Sequence, residues 1–218
     1  MRSWLPHLPF LGDKSALVKG TNPASLVASS FLILIVIGAL LLRSDWATHV
    51  PISWSDALFT ATSAVTVTGL AVLDTDTHFT TAGQMVLLVL VQLGGIGIMT
   101  FAALTLLLLG HQLGIGEQRL VREAMNHTRV MDLGWLIKRI FVLVFVIELV
   151  GFLLLSVILI PDQGWLTGSY HALFYSISAF NNAGFALTSE SLVPKAGHWP
   201  LALVLGSLAV IGGLGFTV

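Results

Sequence analysis

Long and short apolar segments alternate along this chain. The long segments cover residues 24–42, 82–109, 136–160 and 201 to 218. Each is long enough to cross a lipid bilayer as a helix, which takes about 20 residues. A short apolar segment lies between the first two and another between the last two, and each holds a helix-like run of only about a dozen residues. Such a helix is predicted to enter the membrane and return, which is tolerated where protein or water surrounds it.

The two short segments are copies of one another. Residues 57–70 read ALFTATSAVTVTGL, and residues 172–185 read ALFYSISAFNNAGF. In each copy Ala-Leu-Phe opens the run, Ser-Ala lies near its end, and a single glycine follows, Gly69 in the first copy and Gly184 in the second. An apolar helix with the sequence QLGGIGIM or VIGGLGF comes next. The chain is therefore predicted to repeat one unit twice, with pseudo-rotational symmetry about the membrane normal.

The composition supports a membrane protein and argues against an enzyme. Hydrophobic residues make up 56% of the chain and charged residues only 10%, whereas a soluble domain carries roughly 25% charged residues. There is no cysteine, which excludes disulfides, thiolate metal sites and cysteine nucleophiles. No Ser/His/Asp set, paired carboxylates or phosphate-binding loop is recognisable, and the histidines do not have metal-ligand spacing. We predict an all-α integral membrane protein that is not an enzyme.

Lysine and arginine are concentrated in the amino-terminal segment and between the two halves. These residues are Arg2, Lys14, Lys19, Arg119, Arg122, Arg129, Lys138 and Arg139. By the positive-inside rule both regions are cytoplasmic, which makes the chain a multi-pass protein of the plasma membrane. The copied segments then open outward, where the acidic residues are Asp45, Asp56, Asp74, Asp76, Asp162 and Glu190. These residues form either a mouth that attracts cations or an ordinary solvated surface.

The residues after each short helix have the chemistry of an ion filter. A cation that enters the membrane must replace its hydration shell, and backbone carbonyls of glycine-containing loops do this in potassium channels. Glycine adopts positive φ and can turn a carbonyl where other residues cannot, while Thr and Val favour extended backbone. The candidate filter residues are Thr66, Val67, Thr68, Gly69, Asn181, Asn182, Ala183 and Gly184. The two asparagine amides are expected to brace the second loop; the alternative for both loops is a plain connection between helices.

These motifs resemble the pore loops of the Trk/Ktr/HKT superfamily of potassium transporters. Residues 63–70, SAVTVTGL, resemble the first pore loop, residues 178–185, SAFNNAGF, resemble the second, and residues 92–97, QLGGIG, resemble the helix after the first loop. The match is best to the ion-conducting membrane subunit of Ktr-type uptake systems, because the chain starts directly with a pore unit. Family members have four units around one pore. This sequence supplies two and resembles the amino-terminal half.

The resemblance divides the chain into four parts. They are a cytoplasmic amino-terminal segment over residues 1–23, a first unit of outer helix, pore helix, filter loop and inner helix over 24–110, a cytoplasmic linker over 111–135, and a second unit over 136–218 that is truncated in its last helix. The abrupt end at Val218 is expected of a truncated sequence. The linker is expected either to dock a regulator or to lie on the membrane surface.

The resemblance also implies a function. It implies potassium uptake through a carbonyl-lined filter, without a cofactor and with sodium as an activator. Glycine at positions 69 and 184 favours potassium over sodium. The family further implies contact with lipid, a homodimer and a cytoplasmic nucleotide-binding regulatory subunit, and no nucleic acid. The alternatives are a secondary transporter with broken helices around a midplane site, or a half-subunit that conducts only with a partner chain.

Polar and glycine residues inside the long segments need a separate interpretation. Glu148 lies in the middle of the third span, where a charge costs about 2.5–3.5 kcal/mol on insertion scales. We interpret it as a carboxyl group hydrogen-bonded between helices, with a cation or proton site as the alternative, and we interpret Gln92 in the same way. Gly94, Gly95 and Gly97 are expected to allow close helix packing rather than to form a hinge.

Overall fold

A computed structural model describes residues 23–110, 133–188 and 198–214. The helices are α1 (Pro23–Leu42), α2 (Trp54–Val65), α3 (Thr75–His78), α4 (Thr81–Gly110), α5 (Leu133–Gln163), α6 (Trp165–Phe180) and α7 (Trp199–Leu214). Within these residues the only β pairing is an isolated bridge between Thr48 and Phe79. The predicted all-α class is therefore confirmed for the part of the chain that the structure describes. The linker residues 111–132 and Glu190 lie outside it.

Two of the four predicted spans meet a strict length and composition test for crossing a membrane. They are Thr81–Ile98 within α4 and Lys138–Gln163 within α5. The apolar parts of α1 and α7, Val27–Leu42 and Trp199–Leu214, are shorter. The prediction of four spans is thus confirmed for two segments, while the predicted segments 24–42 and 201–218 are helical in α1 and over the described part of α7. Large apolar side chains on the outer faces, such as Val157 at 76% exposed and Leu32 at 62% exposed, fit contact with lipid tails.

The short helices differ in length. α2 has 12 residues, as predicted, but α6 has 16 because it begins at Trp165, ahead of the copied segment. The estimate of about a dozen residues was therefore wrong for α6. Its extra first turn follows the positive-φ residue Gly164, which separates it from α5. The similar residues of the two segments begin only at Ala57 and Ala172, after each helix has started, so the sequence repeat did not reveal this extension.

Two of the predicted mouth carboxylates stabilise helix N-termini. At the start of α2, the backbone N–H of Asp56 donates to Ser53 Oγ over 3.1 Å, and Ser53 Oγ donates to Asp56 Oδ2 over 2.7 Å. Asp74 Oδ1 accepts from the backbone N–H of Asp76 over 2.9 Å and so caps α3, a one-turn helix that the sequence analysis did not predict. Acceptors at N-caps satisfy backbone donors that the helix leaves unpaired.

Each short helix packs against the long helices that precede and follow it. α2 contacts α1 and α4, and α6 contacts α5 and α7. α4 also contacts α5 and α6, so it is the helix that joins the first half of the chain to the second. This arrangement brings the loops that follow the two short helices against each other.

Candidate functional site

The chain leaves α2 and α6 along the same backbone path. After α2 the backbone hydrogen bonds are Thr66 N to Thr62 O (2.9 Å), Val67 N to Ala64 O (3.3 Å) and Thr68 N to Ser63 O (3.0 Å). After α6 they are Asn181 N to Ile177 O (3.1 Å), Asn182 N to Ala179 O (3.0 Å) and Ala183 N to Ser178 O (2.8 Å). The six bonds join equivalent positions of the two copies. The repeat seen in the sequence is therefore a repeat of backbone structure as well.

Positive φ angles also recur at equivalent positions. Gly69 has φ +79° and Gly184 has φ +70°, as the filter hypothesis requires, but Val67 at +55° and Asn182 at +58° are left-handed too. The expectation of extended backbone was wrong for Thr66, which closes α2 with φ −85° and ψ −1°, and for Val67. The reason is the helix ending: a left-handed residue after the last turn lets the chain satisfy helix carbonyls before it turns away. Asparagine tolerates this conformation, whereas valine gives no sequence signal for it.

The two loops meet at their glycines. A Cβ placed on Gly69 would lie 3.0 Å from the carbonyl oxygen of Ala183 and 3.5 Å from the Cα of Gly184, and one on Gly184 would lie 3.2 Å from the Cα of Gly69. Among the described residues, no N–H or hydroxyl group donates to the carbonyl oxygens of Thr68, Gly69 or Ala183. Ala183 is buried, Gly69 is partly buried and Thr68 is exposed, so these carbonyl oxygens lie together where the two loops meet and are free to coordinate an ion.

Side chains tie the second loop to three surrounding helices. Asn181 Nδ2 donates to Ile177 O over 3.0 Å and lies 3.2 Å from both Gln92 Oε1 on α4 and Glu148 Oε1 on α5. Asn182 Nδ2 donates to the carbonyl oxygen of Ala209 on α7 over 3.1 Å. The expectation that the two asparagine amides brace this loop is confirmed.

The first loop is held by local contacts instead. Thr66 Oγ1 donates to Thr62 O over 2.8 Å, and the hydroxyls of Thr66 and Thr68 are 2.6 Å apart. Ser63 is buried and its hydroxyl has no partner among the described residues, although the equivalent Ser178 donates to the carbonyl oxygen of Phe185 over 2.8 Å. Two loops with the same path are thus stabilised differently, which sequence reasoning missed because the serine occurs in both copies.

Glu148 and Gln92 are hydrogen-bonded between helices, which confirms the interpretation made from the sequence. Glu148 is 5% exposed, and its Oε2 accepts from Gln92 Nε2 over 2.9 Å while its Oε1 accepts from Asn181. The sequence analysis placed neither residue next to the filter. Their contact with Asn181 therefore adds two residues to the surroundings of the candidate site.

Glycines on α4 and α7 lie against the carboxyl ends of the short helices. A Cβ on Gly94 would lie 2.0 Å from the carbonyl oxygen of Val65, and one on Gly212 would lie 1.7 Å from that of Phe180. Val65 and Phe180 are the last residues of α2 and α6. Gly95 similarly adjoins the Asn181 side chain, since its Cβ would lie 1.9 Å from Oδ1. The close-packing interpretation is thus confirmed at Gly94 and Gly95.

A hollow of about 210 Å³ adjoins the second loop at Gly184. Its wall includes residues 71–75, and among them is the partly buried Asp74. A carboxylate near unpaired loop carbonyls favours cations over anions. The residues that the structure describes contain no group of three or more His, Cys, Asp or Glu side chains that could hold a metal ion. The oxygen atoms that could coordinate a cation at this place are therefore mainly those of backbone carbonyls.

We expect Ser178→Ala to destabilise the second loop and Ser63→Ala to have little effect. Removing the Ser178 hydroxyl leaves the Phe185 carbonyl unpaired, which costs about 1–3 kcal/mol, whereas the Ser63 hydroxyl has no bond to lose. Thermal unfolding of the two purified variants in detergent measures the difference. Equal shifts in melting temperature would show that the Ser178 bond does not distinguish the loops.

The sequence is similar to cation transport proteins along almost its whole length. A family model described as TrkH, a cation transport protein, matches residues 7–218. The Ktr system potassium uptake protein B of Bacillus subtilis is 47% identical over 197 residues, which are 90% of this chain and 44% of that protein. The protein of the same name from Vibrio alginolyticus is 44% identical over 200 residues, 92% of this chain and 44% of the relative. The potassium/sodium uptake protein NtpJ of Enterococcus hirae is 36% identical over 211 residues, 94% of this chain and 46% of the relative. The chain spans about half the length of these curated relatives.

Proposed function

The chain belongs to the TrkH family of cation transport proteins, and from this premise we propose that it forms two of the loops that line a potassium pathway across the plasma membrane. One observation carries the proposal. Two loops of equal backbone path meet at Gly69 and Gly184, and carbonyl oxygens of Thr68, Gly69 and Ala183 have no donor among the described residues. Such oxygens replace the water that a potassium ion loses on entering the membrane.

The short helices supply the electrostatic part of the mechanism. α2 ends at Val65 and α6 at Phe180, directly before the two loops. The carboxyl end of a helix carries a partial negative charge of about half an elementary charge. Two such ends next to the loop carbonyls favour a cation and disfavour an anion at the same place. The hollow beside Gly184, with Asp74 in its wall, is the outer approach to the filter in this proposal.

The complete transporter requires more than the two loops of this chain. Two loops enclose only part of a pore, and the relatives are about twice as long as the matched region. We assign this chain to two consecutive units related by pseudo-symmetry about the membrane normal, with residues 66–69 and 181–184 as the ion-binding positions. Two further loops complete the ring in the whole transporter.

The ion and the partners follow from the relatives. Two of them are named potassium uptake proteins and one is named a potassium/sodium uptake protein. Glycine at both filter positions leads us to assign potassium as the transported ion, and sodium as an activator. Names that refer to a Ktr system imply further components, which supports a regulatory partner. We further propose that this partner is cytoplasmic and binds nucleotides, that the membrane subunit forms a homodimer, and, from the positions of lysine and arginine, that the amino terminus is cytoplasmic.

Ion flux into proteoliposomes distinguishes this pore from a coupled carrier. The complete transporter that contains these residues is reconstituted with its regulatory components. Potassium entry is then measured under a potassium gradient, with sodium at equal concentration on both sides of the membrane so that the proposed activator is present without a gradient. A pore is expected to pass potassium without a gradient of a second ion and to exclude sodium. Entry that requires fixed coupling to a second ion would contradict the proposed pore and favour a secondary transporter. Absence of potassium entry under all gradients would contradict both.

A further inference from the structure

A buried polar cluster joins the two halves of the chain directly behind the second loop. It consists of Gln92 on α4, Glu148 on α5 and Asn181 at the end of α6, and is called the Gln92–Glu148–Asn181 cluster. Gln92 Nε2 donates to Glu148 Oε2 over 2.9 Å, and Asn181 Nδ2 lies 3.2 Å from both Glu148 Oε1 and Gln92 Oε1. Each of the three side chains is therefore hydrogen-bonded to the other two.

The cluster fixes the residue from which the second loop starts. Asn181 closes α6 with φ −77° and ψ −2°, and the next residue, Asn182, has φ +58°. Ala183 and Gly184 follow directly, and their backbone lies against Gly69 of the first loop. A small displacement of Asn181 therefore displaces the carbonyls that face the first loop. Ion selectivity is sensitive to the number and geometry of the coordinating carbonyls.

The surroundings leave Asn181 little freedom to move. Its side chain is 5% exposed, and the Cα of Gly95 packs so closely against Oδ1 that no Cβ would fit at that position. Ser176 of α6 also donates to the backbone carbonyl of Glu148 over 2.7 Å, which ties α6 to α5 next to the cluster. A buried amide that loses its acceptor costs the full desolvation penalty of that group. Loss of a hydrogen-bond partner in the cluster is therefore expected to shift Asn181 and the loop that follows it.

We propose that the Gln92–Glu148–Asn181 cluster is a positioning device for the filter, and that Glu148 and Gln92 help set ion selectivity through Asn181. This inference rests on the proposed function, because it assumes that residues 181–184 bind the ion. The two side chains act as positioning residues and do not contact the ion. The cluster also makes the second loop depend on α4 of the first unit, so the geometry of one unit is transmitted to the other.

The hydrogen-bond pattern permits an exchange experiment. Glu148 accepts from both amides, whereas Gln92 donates to Glu148 and accepts from Asn181. In Glu148→Gln the new side chain has one acceptor oxygen where Glu148 had two. Whichever way it turns, its NH2 group therefore faces the NH2 group of Gln92 or of Asn181. In the double variant Gln92→Glu/Glu148→Gln the two roles are exchanged, and every donor again has an acceptor. The double variant is therefore expected to restore what the single variant removes.

Gln84 provides the matched control on the same helix. It is buried, its Oε1 accepts from Tyr170 Oη of α6 over 2.8 Å, and its Nε2 donates to Phe79 O over 3.1 Å. Like Gln92, it ties α4 to α6, and its Nε2 also donates to Thr75 O over 3.2 Å. Among the described residues no hydrogen bond joins it to residues 66–69 or 181–184. Gln84→Leu therefore loosens the same pair of helices without releasing the loop.

The experiment measures the potassium-to-sodium uptake ratio of the complete transporter in cells that lack other potassium uptake. Glu148→Gln and Gln92→Leu are expected to lower the ratio about two- to tenfold, the range that corresponds to one hydrogen bond. The exchanged double variant is expected to recover the wild-type ratio, and Gln84→Leu to keep it, with protein amount as the only change.

The possible outcomes separate the inference from the function on which it rests. If the single variants keep the wild-type ratio and only reduce protein amount, as Gln84→Leu does, the cluster is structural and the inference fails while the filter stands. Failure of the double variant to restore a lowered ratio also overturns the inference. If Gly69→Ser, measured alongside, leaves the ratio unchanged as well, the filter assignment itself fails and the inference with it.

Discussion

Gly69→Ser is expected to lower the potassium-to-sodium uptake ratio of the complete transporter by at least about tenfold, which corresponds to roughly 1.4 kcal/mol of lost discrimination. Gly69 has φ +79°, where an L side chain costs about 1–2 kcal/mol. The new Cβ would also lie 3.0 Å from the Ala183 carbonyl oxygen. That neighbour is backbone and cannot rotate away as a flexible side chain would. Relief of the contact therefore moves one or both loops and turns their carbonyls away from the ion.

Gly164 is the control for this substitution. It has φ +83°, almost the same as Gly69, but no atom of the residues that the structure describes lies within 4 Å of its ideal Cβ position. Gly164→Ser introduces similar backbone strain at the turn between α5 and α6, away from the two loops. We expect it to keep the wild-type ratio while lowering the melting temperature slightly. Uptake in cells that depend on this transporter measures both variants. An unchanged ratio in Gly69→Ser, or an equal decrease in Gly164→Ser, would contradict the filter assignment.

Gly212→Ala is expected to remove most of the stably folded transporter. Its Cβ would lie 1.7 Å from the carbonyl oxygen of Phe180 and 2.8 Å from the carbonyl carbon. Because these atoms are the last carbonyl of α6, the clash is relieved only if α7 moves away from the short helix or α6 shifts along with its loop. Overpacking of this kind typically costs about 1–3 kcal/mol, and a clash with backbone lies at the upper end of that range.

Gly206 on the same helix is the matched control. Within the described part of the chain nothing lies within 4 Å of its ideal Cβ position, so Gly206→Ala only replaces a helical glycine by a better helix former. That change is neutral or stabilises by about 0.5–1 kcal/mol. The melting temperatures and yields of both variants, purified in detergent, test the prediction. Equal behaviour of the two would show that the contact between α7 and the end of α6 is not tight.

The sequence was informative about the existence of the two loops. Apolar length predicted which segments enter the membrane, and the copied letters predicted that residues 66–69 and 181–184 follow equivalent helices. The structure bears out the repeat in hydrogen bonds and in the signs of φ. These features are local, since they depend on residues within one turn of each other. Local features are what a sequence pattern reports most directly.

The contacts that connect the loops to the rest of the molecule could not be read in the same way. Asn181 meets Gln92, which is 89 residues away, and Glu148, which is 33 residues away. The sequence identified Glu148 as a buried carboxyl that needs a partner, because an unpaired charge in a membrane is costly. It did not identify the partner, since that depends on how α4, α5 and α6 pack.

The sequence by itself determined an apolar, twice-repeated chain with glycine-containing loops, because segment length and residue type control where backbone enters lipid and where φ turns positive. Only the tertiary structure decided that Gly69 lies against Gly184, that Val67 is left-handed, and that Ser178 is bonded whereas Ser63 is not. The physical reason is that helix packing sets the contact between the two glycines, whereas valine as a residue type gives no signal for positive φ and the same serine occurs in both copies. Two similar segments with the same backbone path therefore form different hydrogen bonds.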